Sequence, residues 1–210
     1  MKWRALGWGW GLALSLAATM GPGCSSSGST PPLFQDHFES YALDSALMGA
    51  GTTWSDPIYG EGPAWTVVKD PDHPERHQVA RLEGEWSGAI AGDAAWGDYC
   101  ISARVRPTGD YAGIVGRYQD GSDFYVLVLR SAESKVQLTK SIGTVPLEEA
   151  DLTVDLDAYT QLAMELRGDV IDCFVDGVLE FSHPGATVTQ GQAGLVGSGG
   201  FFDDVVVSGL

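Results

Sequence analysis

From Leu33 onward, apolar and polar positions alternate over short runs separated by glycine. In "DYCISARVRP", Ile101, Ala103 and Val105 fall on one side and Cys100, Ser102 and Arg104 on the other. That period of two predicts a half-buried strand. "YAGIVGRYQDGSDFYVLVLR" predicts a hairpin, with "QDGSD" as its turn because Asp-Gly favours tight reversal. Its second arm, from Phe124 to Leu129, is apolar at every position except Tyr125, as a central strand covered on both sides would be. Val136, Leu138 and Thr139 predict another strand, and the acidic stretch from Glu148 to Asp157 a short helical turn. "YTQLAMELRGDVIDCFVDGVLEF" reads as two or three strands turning at "RGD" and "DGV", and "GQAGLVGSGGFFDDVVVSGL" as two closing strands. No stretch sustains a helical period. Many short strands with frequent turn signals predict an all-β sandwich or barrel.

The first 23 residues depart from this pattern. Lys2 and Arg4 precede an uncharged run from Ala5 to Met20, then Gly21, Pro22, Gly23 and Cys24. Such a run has the layout of an export signal rather than a membrane span. Cys24 stands where a bacterial lipoprotein carries its lipid, and "CSSSGSTPP" resembles the tether of such proteins. A lipobox usually has Leu where Gly21 stands; the alternative is ordinary cleavage near Gly23. The expected organisation is a signal over 1–23, a tether over 24–33 and one domain over 34–210. The lipid on Cys24 would be the sole membrane contact of an exported, outer-membrane protein in an oxidising compartment.

The chain carries 28 acidic against 12 basic residues, a net charge of −16. That argues against nucleic acid, whose phosphates need Lys and Arg. Cys100 and Cys173 both fall in expected strands; a disulfide between them and two buried thiols are both open.

"FQDHFES", "AWTVVKD", "WGDYCISARVRP", "GIVGRYQDGSDFYVLVL", "IDCFVDGVLEF", "GQAGLVG" and "FFDDVVV" occur in an order that resembles the concanavalin A-like, or laminin G-like, jelly-roll domains of secreted bacterial proteins. The resemblance covers Phe34 to Leu210. It implies two antiparallel sheets face to face, one concave, with the first and last strands adjacent. It also implies a structural calcium where the chain ends meet, with Asp203 as side-chain ligand, Asp204 alternating to the other face, and Asp36 offered from the start of the chain. Calcium accepts such oxygen donors. The competing expectation is that Asp203 pairs with an arginine such as Arg104 or Arg117.

The β-glucanases of that superfamily use E-x-D-x-x-E on one strand, and no stretch here matches it. Glu83 and Glu85 are two apart without the rest, and read as a solvated face. His73 and His77 have zinc-like spacing, but Pro71 and Pro74 predict a polar loop instead. "RGD" reads as a hairpin turn. Sugar binding uses aromatic faces with a few polar groups. Trp65 and Trp96 fit core positions, whereas Trp54 and Trp86, in Gly/Ser-rich stretches, are candidate ligand contacts. Arg117, Tyr125 and Lys140 are candidates to line the concave sheet; the competing expectation for Arg117 is a buried ion pair within the sandwich. The expected function is a non-catalytic carbohydrate-binding module for a polysaccharide or oligosaccharide. The alternatives are a glycoside hydrolase resembling the 3-keto-disaccharide hydrolases and a laminin G-like protein-binding or envelope-structural module.

Overall fold

The structure is a computed structural model that describes residue 24 and residues 31–49, 52–56, 65–75, 77–84, 86–141, 144–152, 155 and 157–210. The expected signal, most of the tether and Glu85 lie outside the described residues. The strands are β1 (Phe34–Asp36), β2 (Trp65–Lys69), β3 (Gln78–Leu82), β4 (Ser87–Ala91), β5 (Tyr99–Pro107), β6 (Tyr111–Tyr118) and β7 (Tyr125–Arg130). They continue with β8 (Lys135–Lys140), β9 (Glu148–Asp151), β10 (Thr160–Arg167), β11 (Val170–Val175), β12 (Val178–Pro184), β13 (Gln192–Gly197) and β14 (Gly200–Gly209). One sheet runs β12-β11-β10-β5-β14-β3-β2, with β1 also on β14; the other runs β4-β13-β6-β7-β8-β9. Every pairing is antiparallel, and the first and last strands are neighbours.

Alternation decides which side chains enter the core. Val67, Ile101, Val105, Leu162 and Met164 come from the eight-stranded sheet, and Ile114, Leu127, Leu138 and Leu195 from the six-stranded one; all are sealed from solvent. Each such side chain contributes roughly 1.5–3 kcal/mol by leaving water. The opposite face of the six-stranded sheet carries a second apolar layer that includes Tyr111, Val115, Tyr118, Phe124, Val126 and Val128. That layer is why the run from Phe124 to Leu129 is apolar on both faces.

Two expectations need correction. Residues 148–151 form an edge strand, not a helical turn: Ala150 points inward opposite Val136, while Glu149 and Asp151 face water. Cys100 does not pair with Cys173, which is a free thiol buried in the core. Cys100 is joined instead to Cys24, with Cα atoms 5.6 Å apart, inside the usual disulfide range. A sulfur in a disulfide cannot also carry a thioether lipid, so this pairing and the expected anchor are alternative states of Cys24.

Candidate functional site

The closing strand explains its two aspartates. β14 bulges against β5 between Asp203 and Val206, and Asp204 adopts φ 49°. The bulge cancels the expected alternation, so both carboxylates reach Arg104, at 3.3 Å from Asp203 and 3.6 Å from Asp204. Arg104 also lies 4.5 Å above the Tyr159 ring. His37 Nδ1 meets Asp204 at 2.8 Å. Asp203 is 4% exposed; burial, with the neighbouring Asp204 charge, pushes its pKa up to about 6. Asp36 belongs to the other side of the sheet, opposite the core residue Val205. Its oxygens accept the Phe38 N–H, the Tyr41 O–H and the Trp54 Nε1–H, each at 2.8 Å. Burial, together with the Asp36 carboxylate, pushes Tyr41 up to about 12. Asp36 and Asp203 therefore do not converge, one is saturated by protein donors and the other faces a guanidinium. They do not fit a shared calcium, and the arginine pairing is the arrangement present.

Three of the expected ligand residues do converge, but on the protein itself. Arg117 sits in a bulge of β6 with φ 52° and no exposed surface. Gly191 makes room: a Cβ there would lie 2.4 Å from the Arg117 carbonyl carbon. The guanidinium donates to the carbonyls of Gly97 (3.2 Å), Gly168 (2.7 Å) and Val188 (3.1 Å), and meets Asp98 at 3.4 Å. Burial lowers its pKa. Tyr99 bridges the same bulge, accepting the Arg117 N–H and donating to the Gln192 carbonyl. The Tyr125 hydroxyl accepts the N–H groups of Thr187 and Val188. Lys140 points the same way, donating to Thr187 Oγ1 at 3.3 Å and pairing with Asp123 at 3.0 Å. Arg117, Tyr125 and Lys140 thus clamp residues 185–191, and none of them lines the groove at Trp86. Trp54 is likewise structural: it is 3% exposed, between Phe34 and Phe38.

Trp86 is the expected contact that faces a pocket. A cavity of about 340 Å³ lies on the outward face of the six-stranded sheet. Val126 and Val128 of β7 form its floor. Trp86, just before β4, and Tyr111 of β6 form one wall, their rings 4.7 Å apart. Gln137 and Thr139 of β8, with Thr144 and Pro146 beyond, form the other. Arg130 and Glu133 close the end at the β7–β8 turn. Arg130 donates from Nη2 (3.0 Å) and Nε (3.3 Å) to Glu133 Oε1, with its guanidinium 5.6 Å from the Tyr111 ring centre. Sequence reasoning missed Tyr111, Arg130, Glu133 and Gln137. The signal was there: Arg130 continues the outward alternation of Val126 and Val128.

Ile90, Val196, Tyr111, Val115, Val126 and Val128 occupy outward positions of the inner strands and β4. Glu149, on the edge strand, accepts from Lys135 and from Gln137 Nε2. The Lys135 hydrogen bond holds its pKa below the usual carboxylate range. Elsewhere, Glu83 pairs with Arg81 at 3.2 Å, and His77 with Glu39 at 3.4 Å in the expected polar loop. Among the described residues no group of three potential ligands is placed to hold a metal ion.

This arrangement of sheets has known counterparts. A carbohydrate-binding module, CBM66, from Bacillus subtilis superposes with a TM-score of 0.61 at 16% identity, over 77% of this chain and 98% of that one. The fold is the concanavalin A-like jelly roll. Domain 4 of AbnA, an extracellular GH43 arabinanase from Geobacillus stearothermophilus, solved with arabinotriose, gives 0.56 at 17% identity, over 75% and 81%. A Bacillus licheniformis β-glucanase gives 0.53 at 15% identity, over 87% and 100%. No protein-family model matches the sequence, and neither does any curated protein. Identities this low establish the jelly roll alone, because one fold hosts many functions.

Proposed function

We propose that this jelly roll is a non-catalytic carbohydrate-binding module whose ligand lies in the groove between Trp86 and Gln137. The observation that carries the reading is the groove's composition. It has an aromatic wall, an apolar floor and a polar far side, the combination that suits a sugar's C–H faces and hydroxyls. Glycoside cleavage needs two carboxyl groups flanking the bond, one with a raised pKa to act as acid. Glu133 and Glu149 flank the far end instead, each engaged by a cation, Arg130 or Lys135. The low pKa of Glu149 is opposite to what an acid catalyst requires. The structural relatives that bind or cleave polysaccharides are consistent with a glycan ligand.

Export fits the charged, then apolar, beginning of the chain. A disulfide also forms more readily in an exported protein. Peptide mapping of the exported protein without reductant is expected to return a Cys24–Cys100 linked peptide. Diacylglycerol in thioether linkage on Cys24, with a free Cys100 thiol, would instead establish the lipid anchor.

The test of function is a polysaccharide binding screen scored for reducing-end release in the same wells. Binding without release is expected. Release would establish a hydrolase, and silence in both channels would favour a protein partner.

A further inference from the structure

Among the described residues, each cation on the rim of the groove has an anion beside it. Arg130 is held by Glu133 and Lys135 by Glu149. The whole chain carries −16. A uronate or sulfated sugar would meet no cation without a carboxylate beside it, would face Glu133, and would approach against the field of the protein. A neutral sugar meets no such barrier.

The geometry of the Arg130–Glu133 pair says more. A guanidinium offers five N–H donors in a fixed fork. Arg130 directs Nε and Nη2 to a single oxygen, Glu133 Oε1, which leaves the Nη1 side of the fork. Glu133 retains Oε2 as an acceptor, since no hydrogen bond engages that oxygen among the described residues. Donor and acceptor thus sit side by side at the end of a groove whose wall is Trp86 and Tyr111. Two adjacent hydroxyls match that pair: one accepts from Arg130 and its neighbour donates to Glu133. The ring that bears them lies along the aromatic wall, over Val126 and Val128.

Resting on the carbohydrate reading, we propose that the groove selects uncharged glycans through a vicinal diol gripped by Arg130 and Glu133. Charge neutrality and the adjacent hydroxyls are both required.

The experiment uses inulin and mixed-linkage β-glucan, each in three forms. The forms are native, oxidised at primary hydroxyls to uronates, and periodate-cleaved then borohydride-reduced, which opens vicinal diols without adding charge. Affinity is read by calorimetry on the exported protein and on the Glu133→Gln and Arg130→Lys variants. Melting temperatures confirm that each variant folds; Glu133 is about half exposed, and its side chain is 45% accessible. At least one native polymer is expected to bind, with both treated forms weaker by about tenfold or more. Glu133→Gln is expected to weaken the native form and shrink the penalty on the uronate form. Arg130→Lys keeps the charge but loses the fork, and is expected to weaken the native form as well. Equal or tighter binding of the uronate form, or unchanged binding after periodate cleavage, overturns the diol proposal and leaves the carbohydrate reading standing. Binding of no polymer in any form overturns both.

Discussion

Two arginines of neighbouring strands in one sheet have opposite fates. Arg117 is wholly buried, and its guanidinium is engaged by the carbonyls of Gly97, Gly168 and Val188. Arg130 is a third exposed and bonded to one oxygen of one glutamate. The first holds a loop and is buried out of reach of a ligand. The second is positioned on a groove with part of its fork uncommitted. Residue type and strand membership do not separate them; the bulge that turns Arg117 inward does.

The comparison breaks most visibly at Arg117. Arg117→Met is expected to cost about 3 kcal/mol, because it leaves the buried Val188 carbonyl and the part-buried Gly97 and Gly168 carbonyls without their donor. Urea unfolding would show this, and hydrogen exchange across residues 185–191 would rise with it. A loss under about 1 kcal/mol would mean that the loop does not depend on the clamp.

Arg104 is an intermediate case, a third exposed beside the buried Asp203. Burial raises the folded pKa of Asp203 from 3.8 to about 6. The folded state therefore holds this proton more tightly than the unfolded chain. Stability contributed by the protonated form is present below pH ~4 and is lost as pH rises towards ~6. From the shift of 3.8 to about 6, the change is of the order of 3 kcal/mol at most. Asp203→Asn should remove this component, so melts of parent and variant at pH 4.5 and pH 7 should differ in slope. Parallel profiles would contradict the assignment.

The smallest effect is expected at Lys140, whose ion pair with Asp123 is exposed on both sides. Lys140→Ala should cost under about 1 kcal/mol and leave glycan affinity unchanged. Weakened binding would move the site towards the loop clamp.

Much of the fold was legible in the sequence because alternation and turn chemistry are local. The "QDGSD" and "RGD" turns fall between β6 and β7 and between β10 and β11, and Trp65 packs in the core against Phe202. The site was less legible because bulges reset alternation. Arg117 and Asp204 both sit at bulges, and neither faces the side that a period of two assigns. Tyr125 reads as a groove residue until its hydroxyl is found on Thr187 and Val188. Trp54 lies in a Gly/Ser-rich stretch but is drawn inward by its bond to Asp36. Trp86, singled out by its Gly/Ser-rich stretch, lines the groove, whereas Arg130 and Glu133 became a pair only when the β7–β8 turn brought them together.

The most direct measurement is tryptophan fluorescence during titration with whichever polysaccharide the screen returns, on the parent and on Trp86→Phe. Trp54 and Trp65 are each 3% exposed and should stay silent. The parent should change emission on binding. In Trp86→Phe that change should vanish, while affinity falls only modestly because an aromatic wall remains. An undiminished emission change in Trp86→Phe would place the ligand elsewhere and contradict the groove as the binding site.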